Sequence, residues 1–234
     1  MFAVKKKRDY CLYRLNIRGV ERMALLNNLG SLVGMFMQPD KNEESKQLAN
    51  RAGVGTNDFA KIASLGLPLL LQGMNKNNQT SAGLKSFEQA IDQHQTRNNY
   101  ESLGQFAQNV DTDDGDRIVN HVFSDNKSNV NASLADRLGV QPETVQRTLA
   151  VLAPLVLKYL ADRKRENNLG TEEIQHETQN ATQEIAQQVR QMNKEDSPNR
   201  GLLGDLFDNL TGDNSATTKD KDNGLLGDLF NLFK

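Results

Sequence analysis

The run Asp111-Thr-Asp-Asp-Gly-Asp116 puts four carboxylates within six residues, a density that invites divalent-cation chemistry. A calcium loop spaces its oxygen ligands at alternate positions, with Gly sixth and Glu twelfth. Setting Gly115 sixth puts Val110 first and His121 twelfth, and neither supplies the carboxylate required there. The acids instead suit a turn leading into a helix, with Asp113 or Asp114 as the capping acceptor. His94, His121 and His176 fall in separate predicted helices without the paired-histidine spacing of a zinc helix. His121, between Asn120 and Val122 on a helix with an apolar face, reads as a partly buried, hydrogen-bonded histidine rather than a ligand or a base. The lone Cys11 forms neither an intrachain disulfide nor a cysteine cage, and no serine stands in a Gly-x-Ser-x-Gly setting. Gly53-Val-Gly55 follows a helical pattern and lacks a third glycine, so it reads as a helix stop rather than a dinucleotide turn. No catalytic residue, cofactor or metal site is expected, and the chain is read as a non-enzyme.

The elements around these residues follow helical periodicity throughout. Leu25, Leu26, Leu29, Leu32, Val33 and Phe36 predict a first helix that opens at Met23 and ends before Pro39-Asp40. A short helix over 47–52 closes on Gly53, with Thr56 or Asn57 expected to cap the next, which carries Phe59, Ile62, Leu65, Leu69 and Leu70. Further helices are predicted over 84–93, over 100–109, and through Ile118, Val119, Val122 and Phe123. No segment alternates with period two for long enough to make a strand, so the expected class is all-α, a compact multi-helix domain.

Residues 134–160 repeat the pattern of residues 48–74. Leu48, Ala49, Arg51, Gly53, Val54, Pro68, Leu69 and Leu71 recur as Leu134, Ala135, Arg137, Gly139, Val140, Pro154, Leu155 and Leu157. These eight identities fall where the backbone is most demanding, at a helix-ending glycine and a proline inside an apolar helix, so duplication of a helix-turn-helix unit is the expected origin. Leu65 to Leu71 and Val151 to Leu157 are apolar all round, which predicts that the two proline-bearing helices pack against each other in the core.

Charge divides the chain into regimes. Residues 1–22 hold seven Lys or Arg against two acids, residues 23–165 fifteen against fifteen, and residues 166–234 six against thirteen. A neutral core lacks the basic footprint that nucleic-acid affinity draws on. The helices following each turn also start with Thr56, Asn57 and Asp58, or Gln141, Pro142 and Glu143, which are poor base readers. The longest apolar runs fall far short of the roughly 20 residues that span a bilayer. Lys5 to Arg8 precede an apolar stretch, Cys11 to Ile17, that is too short for a signal peptide and is broken by Arg14. Export by that route is not expected, and with one cysteine the expected location is cytoplasmic. Residues 1–22 also lack the amphipathic pattern that starts at Met23, so they read as an extension outside the native coding sequence, with Arg18-Gly19 encoded by a purine-rich stretch.

The expected organisation is therefore an N-terminal extension over 1–22, a helical domain over 23–165, a polar helix or linker over 166–200 and a disordered tail over 201–234. The linker has one narrow apolar stripe, Ile174, Ala181, Ile185, Val189 and Met192, and reads as solvated. The tail carries Gly-Leu-Leu-Gly-Asp-Leu-Phe twice, at 201–207 and 224–230. Helices this short are marginal alone and order on docking. Leu202, Leu203, Leu206, Phe207, Leu225, Leu226, Leu229 and Phe230 are therefore the candidate partner-docking residues, with Asp205, Asp208 and Asp228 disfavouring an anionic membrane surface.

Gly115-Asp-Arg-Ile-Val-Asn-His-Val-Phe123, Leu134-Ala-Asp-Arg-Leu-Gly-Val140, Leu152-Ala-Pro-Leu-Val156 and the Gly-Leu-Leu-Gly segments resemble the YidB-like bacterial family, domain of unknown function nine hundred and thirty-seven. The likeness covers about residues 23–165 and the tail motifs. It departs at Ser124, where that family often has Gly. The resemblance implies an all-helical fold and carries over no activity and no functional residue. The functional expectation is a helical scaffold or protein-interaction protein whose tail docks on its own core or on a protein partner. The alternatives are a weak DNA-binding regulator and peripheral membrane association through the tail motifs.

Overall fold

A computed structural model describes residues 29–36, 42–97, 100 and 102–192, and among these all regular structure is helical. The α-helices are α1 Leu29–Phe36, α2 Glu43–Ala52, α3 Thr56–Asn77, α4 Ser81–Arg97, α5 Leu103–Asn109, α6 Thr112–Phe123, α7 Lys127–Leu138, α8 Pro142–Asn167 and α9 Thr171–Met192. A 3-10 turn, Ser124–Asn126, joins α6 to α7. The all-α class is as expected from the sequence. None of the described helices is long and apolar enough to cross a membrane. The extension over 1–22 and the tail over 201–234 lie outside the described residues.

α8 is the axis of the fold. Every residue from Thr148 to Asp162 is buried, and α6, α3, α4 and α7 pack around it. A helix apolar on all sides is stable only at such a centre. α3 is its partner, buried from Phe59 to Leu71 except at Lys61. The two approach closely at Gly66, where a β-carbon would stand 2.7 Å from Leu149 Cδ2. Both helices continue through their prolines, Pro68 and Pro154. α1 closes one side through Phe36, which meets Phe59 edge-on at 5.5 Å.

The two turns that precede α3 and α8 have one geometry. Gly53 has φ 64° and ψ 37°, and Gly139 has φ 65° and ψ 36°, the left-handed region that glycine enters without a steric cost. In each, the following valine N–H closes the helix, Val54 on the Ala49 carbonyl and Val140 on the Ala135 carbonyl, both at 3.0 Å. These bonds satisfy carbonyls that a helix end leaves open.

Several boundaries differ from the sequence expectation, each for a local reason. α2 opens at Glu43, before residue 47, because the Asn42 side chain accepts the Glu44 N–H at 3.2 Å. Gly55, not Thr56 or Asn57, occupies the N-cap of α3, since the turn after Gly53 is only two residues long and Thr56 is already helical. Gln141 is the equivalent N-cap of α8, and Pro142 is the first residue of that helix. The fourth helix extends beyond 84–93 at both ends, to Ser81 and Arg97. The fifth starts at Leu103 rather than at Tyr100, because Ser102 caps it by accepting the Gln105 N–H at 3.2 Å.

The helix expected to be solvated, α9, packs on α1 and α3. Ile174, Ala181 and Ile185 of its stripe are buried, and so is Thr178, whose hydroxyl donates to the Ile174 carbonyl at 2.8 Å. A threonine bonded back to its own helix can sit in a core without an unmet polar group.

Candidate functional site

The four aspartates of the 111–116 run serve the structure separately. Asp111, rather than Asp113 or Asp114, caps α6, its Oδ1 accepting the N–H groups of Asp113 and Asp114 at 3.0 and 3.1 Å. The bond from Asp114 N–H is the largest influence holding the Asp111 carboxyl below the usual range. Asp113 is exposed in the first turn, where its charge favours the helix dipole. Asp116 takes Lys127 Nζ at 2.8 Å and Gln146 Nε2 at 3.0 Å. Burial alone would raise Asp116, but these bonds outweigh it and the carboxyl is lowered.

Asp114 points the other way, towards α4. Its Oδ2 lies 2.9 Å from His94 Nε2, and its Oδ1 accepts Arg117 Nη2 at 3.0 Å. His94 Nδ1 donates to the Ala90 carbonyl at 2.9 Å. That carbonyl only accepts, so Nδ1 carries a proton. Both ring nitrogens of His94 are thus engaged inside the protein, and the residue is 6% exposed. His121, expected to be the partly buried histidine, is exposed near the end of α6, because Val119, Val122 and Phe123 take the inward face. His176 is exposed on α9. Among the described residues no group of three or more His, Cys, Asp or Glu is arranged to hold a metal ion.

Beside the His94–Asp114 pair, α3, α4 and α6, with Leu157 of α8, form a half-open cavity of about 270 Å³. Its apolar wall is formed by Met74, Phe87, Ile118, Val122 and Leu157. Two features of the sequence hold its corner in shape. Asn77 Nδ2 donates to the carbonyls of His121 and Val122 at 3.2 and 3.3 Å, tying the end of α3 to the end of α6. Gly83 lets the first turn of α4 come in: a β-carbon there would lie 1.8 Å from the Asn77 carbonyl oxygen.

The next residue, Asn78, ends α3 and also lines this cavity. The residue is 2% exposed, and neither Oδ1 nor Nδ2 has a hydrogen-bond partner. Among the described residues it alone has both polar side-chain atoms buried and unmatched. Its main chain is well satisfied, the N–H donating to the Met74 carbonyl at 3.0 Å and the carbonyl accepting Gln175 Nε2 at 3.1 Å. Burying an unpaired carboxamide costs about 1–3 kcal/mol, so this corner of the cavity is unfavourable as it stands. The cavity is smaller than the about 300–1,000 Å³ common for small-molecule pockets and suits a few side chains. Arg117 and His121 stand at its rim, Arg117 with 64% of its side chain in solvent.

Neither Asn78 nor the His94–Asp114 pair was legible in the sequence. Asn78 is one of several polar residues in Asn75-Lys-Asn-Asn-Gln79, and only burial distinguishes it. The expected docking residues Leu202, Leu203, Leu206, Phe207, Leu225, Leu226, Leu229 and Phe230 lie outside the described residues.

No curated protein and no solved structure matches the chain. A family model described as a bacterial protein of unknown function, DUF937, matches residues 25–163, a span from before α1 into α8 that includes every helix lining the cavity. The chain belongs to this bacterial family of unknown function.

Proposed function

We propose that this protein is a non-enzymatic helical interaction module, and that the α3–α4–α6 cavity receives an apolar peptide segment whose main chain pairs with Asn78. The observation that carries this reading is the buried carboxamide with two unmatched polar atoms at an apolar cavity. A carboxamide offers a donor and an acceptor side by side, and a peptide group offers the complementary pair. Leucine or phenylalanine side chains would fill the space between Phe87, Ile118 and Val122. The engagement of both His94 nitrogens favours a fixed strut between α4 and α6 over a base that exchanges protons with a substrate. The same reading has the protein acting in the cytoplasm, in keeping with a sequence that holds no pair of cysteines.

The test is selection of displayed 12-residue peptides on the full chain, followed by affinity measurement on wild type and Asn78→Leu. Selected sequences rich in Leu and Phe that bind Asn78→Leu about 10-fold or more weakly, the loss expected for a buried hydrogen-bond pair, support the reading. Equal affinity for both proteins overturns it.

A further inference from the structure

Resting on that reading of the cavity, we infer that its occupant is part of this same chain, the second tail motif at residues 224–230, Gly-Leu-Leu-Gly-Asp-Leu-Phe. Three features of the molecule select it. The motif matches the cavity chemically: Leu225, Leu226, Leu229 and Phe230 are the apolar groups the wall accepts, and Gly224 and Gly227 leave main chain bare for the approach of Asn78. It also matches in charge: Arg117, 64% of whose side chain is in solvent beside Asp114, stands at the rim, and the tail over 201–234 holds six acids against three bases.

Chain length then separates the second motif from the first. Gln175 bonds the Asn78 carbonyl, and α9 runs from there along α3, with Asn75 Nδ2 donating to Thr182 Oγ1 at 3.2 Å. Seventeen residues of helix separate Gln175 from Met192, the last residue of α9, so that end lies about 25 Å from the cavity at 1.5 Å per residue. From Met192 to Gly201 is nine residues, which reach at most about 30 Å when fully extended. The first motif therefore reaches the cavity only with its connection pulled nearly straight. From Met192 to Gly224 is thirty-two residues, with a limit near 110 Å, and the second motif arrives with slack. Docked in this way it competes with any peptide from another protein, so the tail sets the concentration at which a partner can enter.

The experiment follows the Asn78 side-chain NH₂ resonances by NMR in the full chain, comparing wild type with L229D/F230D and with L206D/F207D. The L229D/F230D substitution shifts the Asn78 resonances, L206D/F207D leaves them in place, and a synthetic peptide of residues 221–234 returns the L229D/F230D chain to the wild-type position. That peptide binds at least tenfold tighter than its own L229D/F230D version. Unchanged Asn78 resonances in L229D/F230D overturn the inference, as does a shift produced by L206D/F207D instead. A wild-type resonance position that varies with protein concentration also overturns it, because the occupant is then a second copy. Where the tail variants have no effect but library-selected peptides still move the Asn78 resonances, only the self-docking is lost. Where no peptide moves them, the peptide-binding reading falls as well.

Discussion

Gly115 of α6 lies so close to Ala150 of α8 that a β-carbon at position 115 would stand 1.7 Å from the Ala150 carbonyl oxygen. The obstacle is backbone at the buried centre of the fold, so it cannot rotate aside. Gly115→Ala must push α6 away from α8 and lift Ile118 and Val122 from the cavity wall. A loss of about 1–3 kcal/mol, the usual range for overpacking, is expected in urea unfolding. An unchanged midpoint would show that the two helices are not in this contact.

Ser124 has φ 48° and ψ −128°, a conformation that a side chain disfavours and glycine enters freely. Its hydroxyl recovers only a 3.4 Å bond to the His121 carbonyl. Ser124→Gly should therefore stabilise the protein by about 1 kcal/mol through release of backbone strain. Gly53→Ala and Gly139→Ala, at matching left-handed positions, should each cost about 1–2 kcal/mol. Thermal unfolding of the three variants checks both signs.

Leu155, at 0% exposure in the middle of α8, tests the placement of the core. Leu155→Ala is expected to lose about 2–5 kcal/mol. A loss below 1 kcal/mol would place the residue near a surface.

Two carboxylates should bend the pH profile of stability in opposite senses. Asp116 is lowered in the folded state, so its contribution is present above the unfolded pKa, about 3.9, and fades as pH falls through the folded value. Asp116→Asn should destabilise the protein at pH 7 and converge with wild type in acid. Glu184 is raised, first by burial and then by the charge of Glu177, with Arg163 opposing. Its folded state holds a proton more tightly than the unfolded chain, so stability declines as pH rises from the unfolded pKa through the folded one. Glu184→Gln should raise the unfolding midpoint at pH 7 and lose that advantage below about pH 4, near the unfolded value. Denaturant titrations at four or five pH values resolve both trends.

What the sequence carried and what it did not divide along the range of the interactions. Gly53 and Gly139 announce helix ends because a left-handed cap is a local demand that one residue type meets. Pro142 announces a helix start for a similar reason, and the apolar runs around Pro68 and Pro154 announce a central pair. Asp111 was obscured by its neighbours, since several aspartates in one run all satisfy the capping rule and only the fold selects among them. The burial of α9 was hidden by Thr178, polar in sequence and self-satisfied in structure. His94 and Asp114 are twenty residues apart on different helices, and no spacing rule joins them. Asn78 is a matter of packing alone: its neighbour Asn77 spends its amide on two carbonyls of α6, while the Asn78 carboxamide is buried unmatched beside the cavity.

One paired measurement decides what Asn78 is for. In the full chain with its second motif disabled by L229D/F230D, affinity for the peptide of residues 221–234 and the unfolding midpoint are measured with and without Asn78→Leu. An apolar replacement of an unmatched buried amide relieves the fold and deprives the ligand of its partner. The predicted result is a midpoint that is equal or higher together with a peptide affinity at least tenfold lower. A lower midpoint with unchanged affinity would contradict that role, because Asn78 would then serve the fold and not a bound peptide.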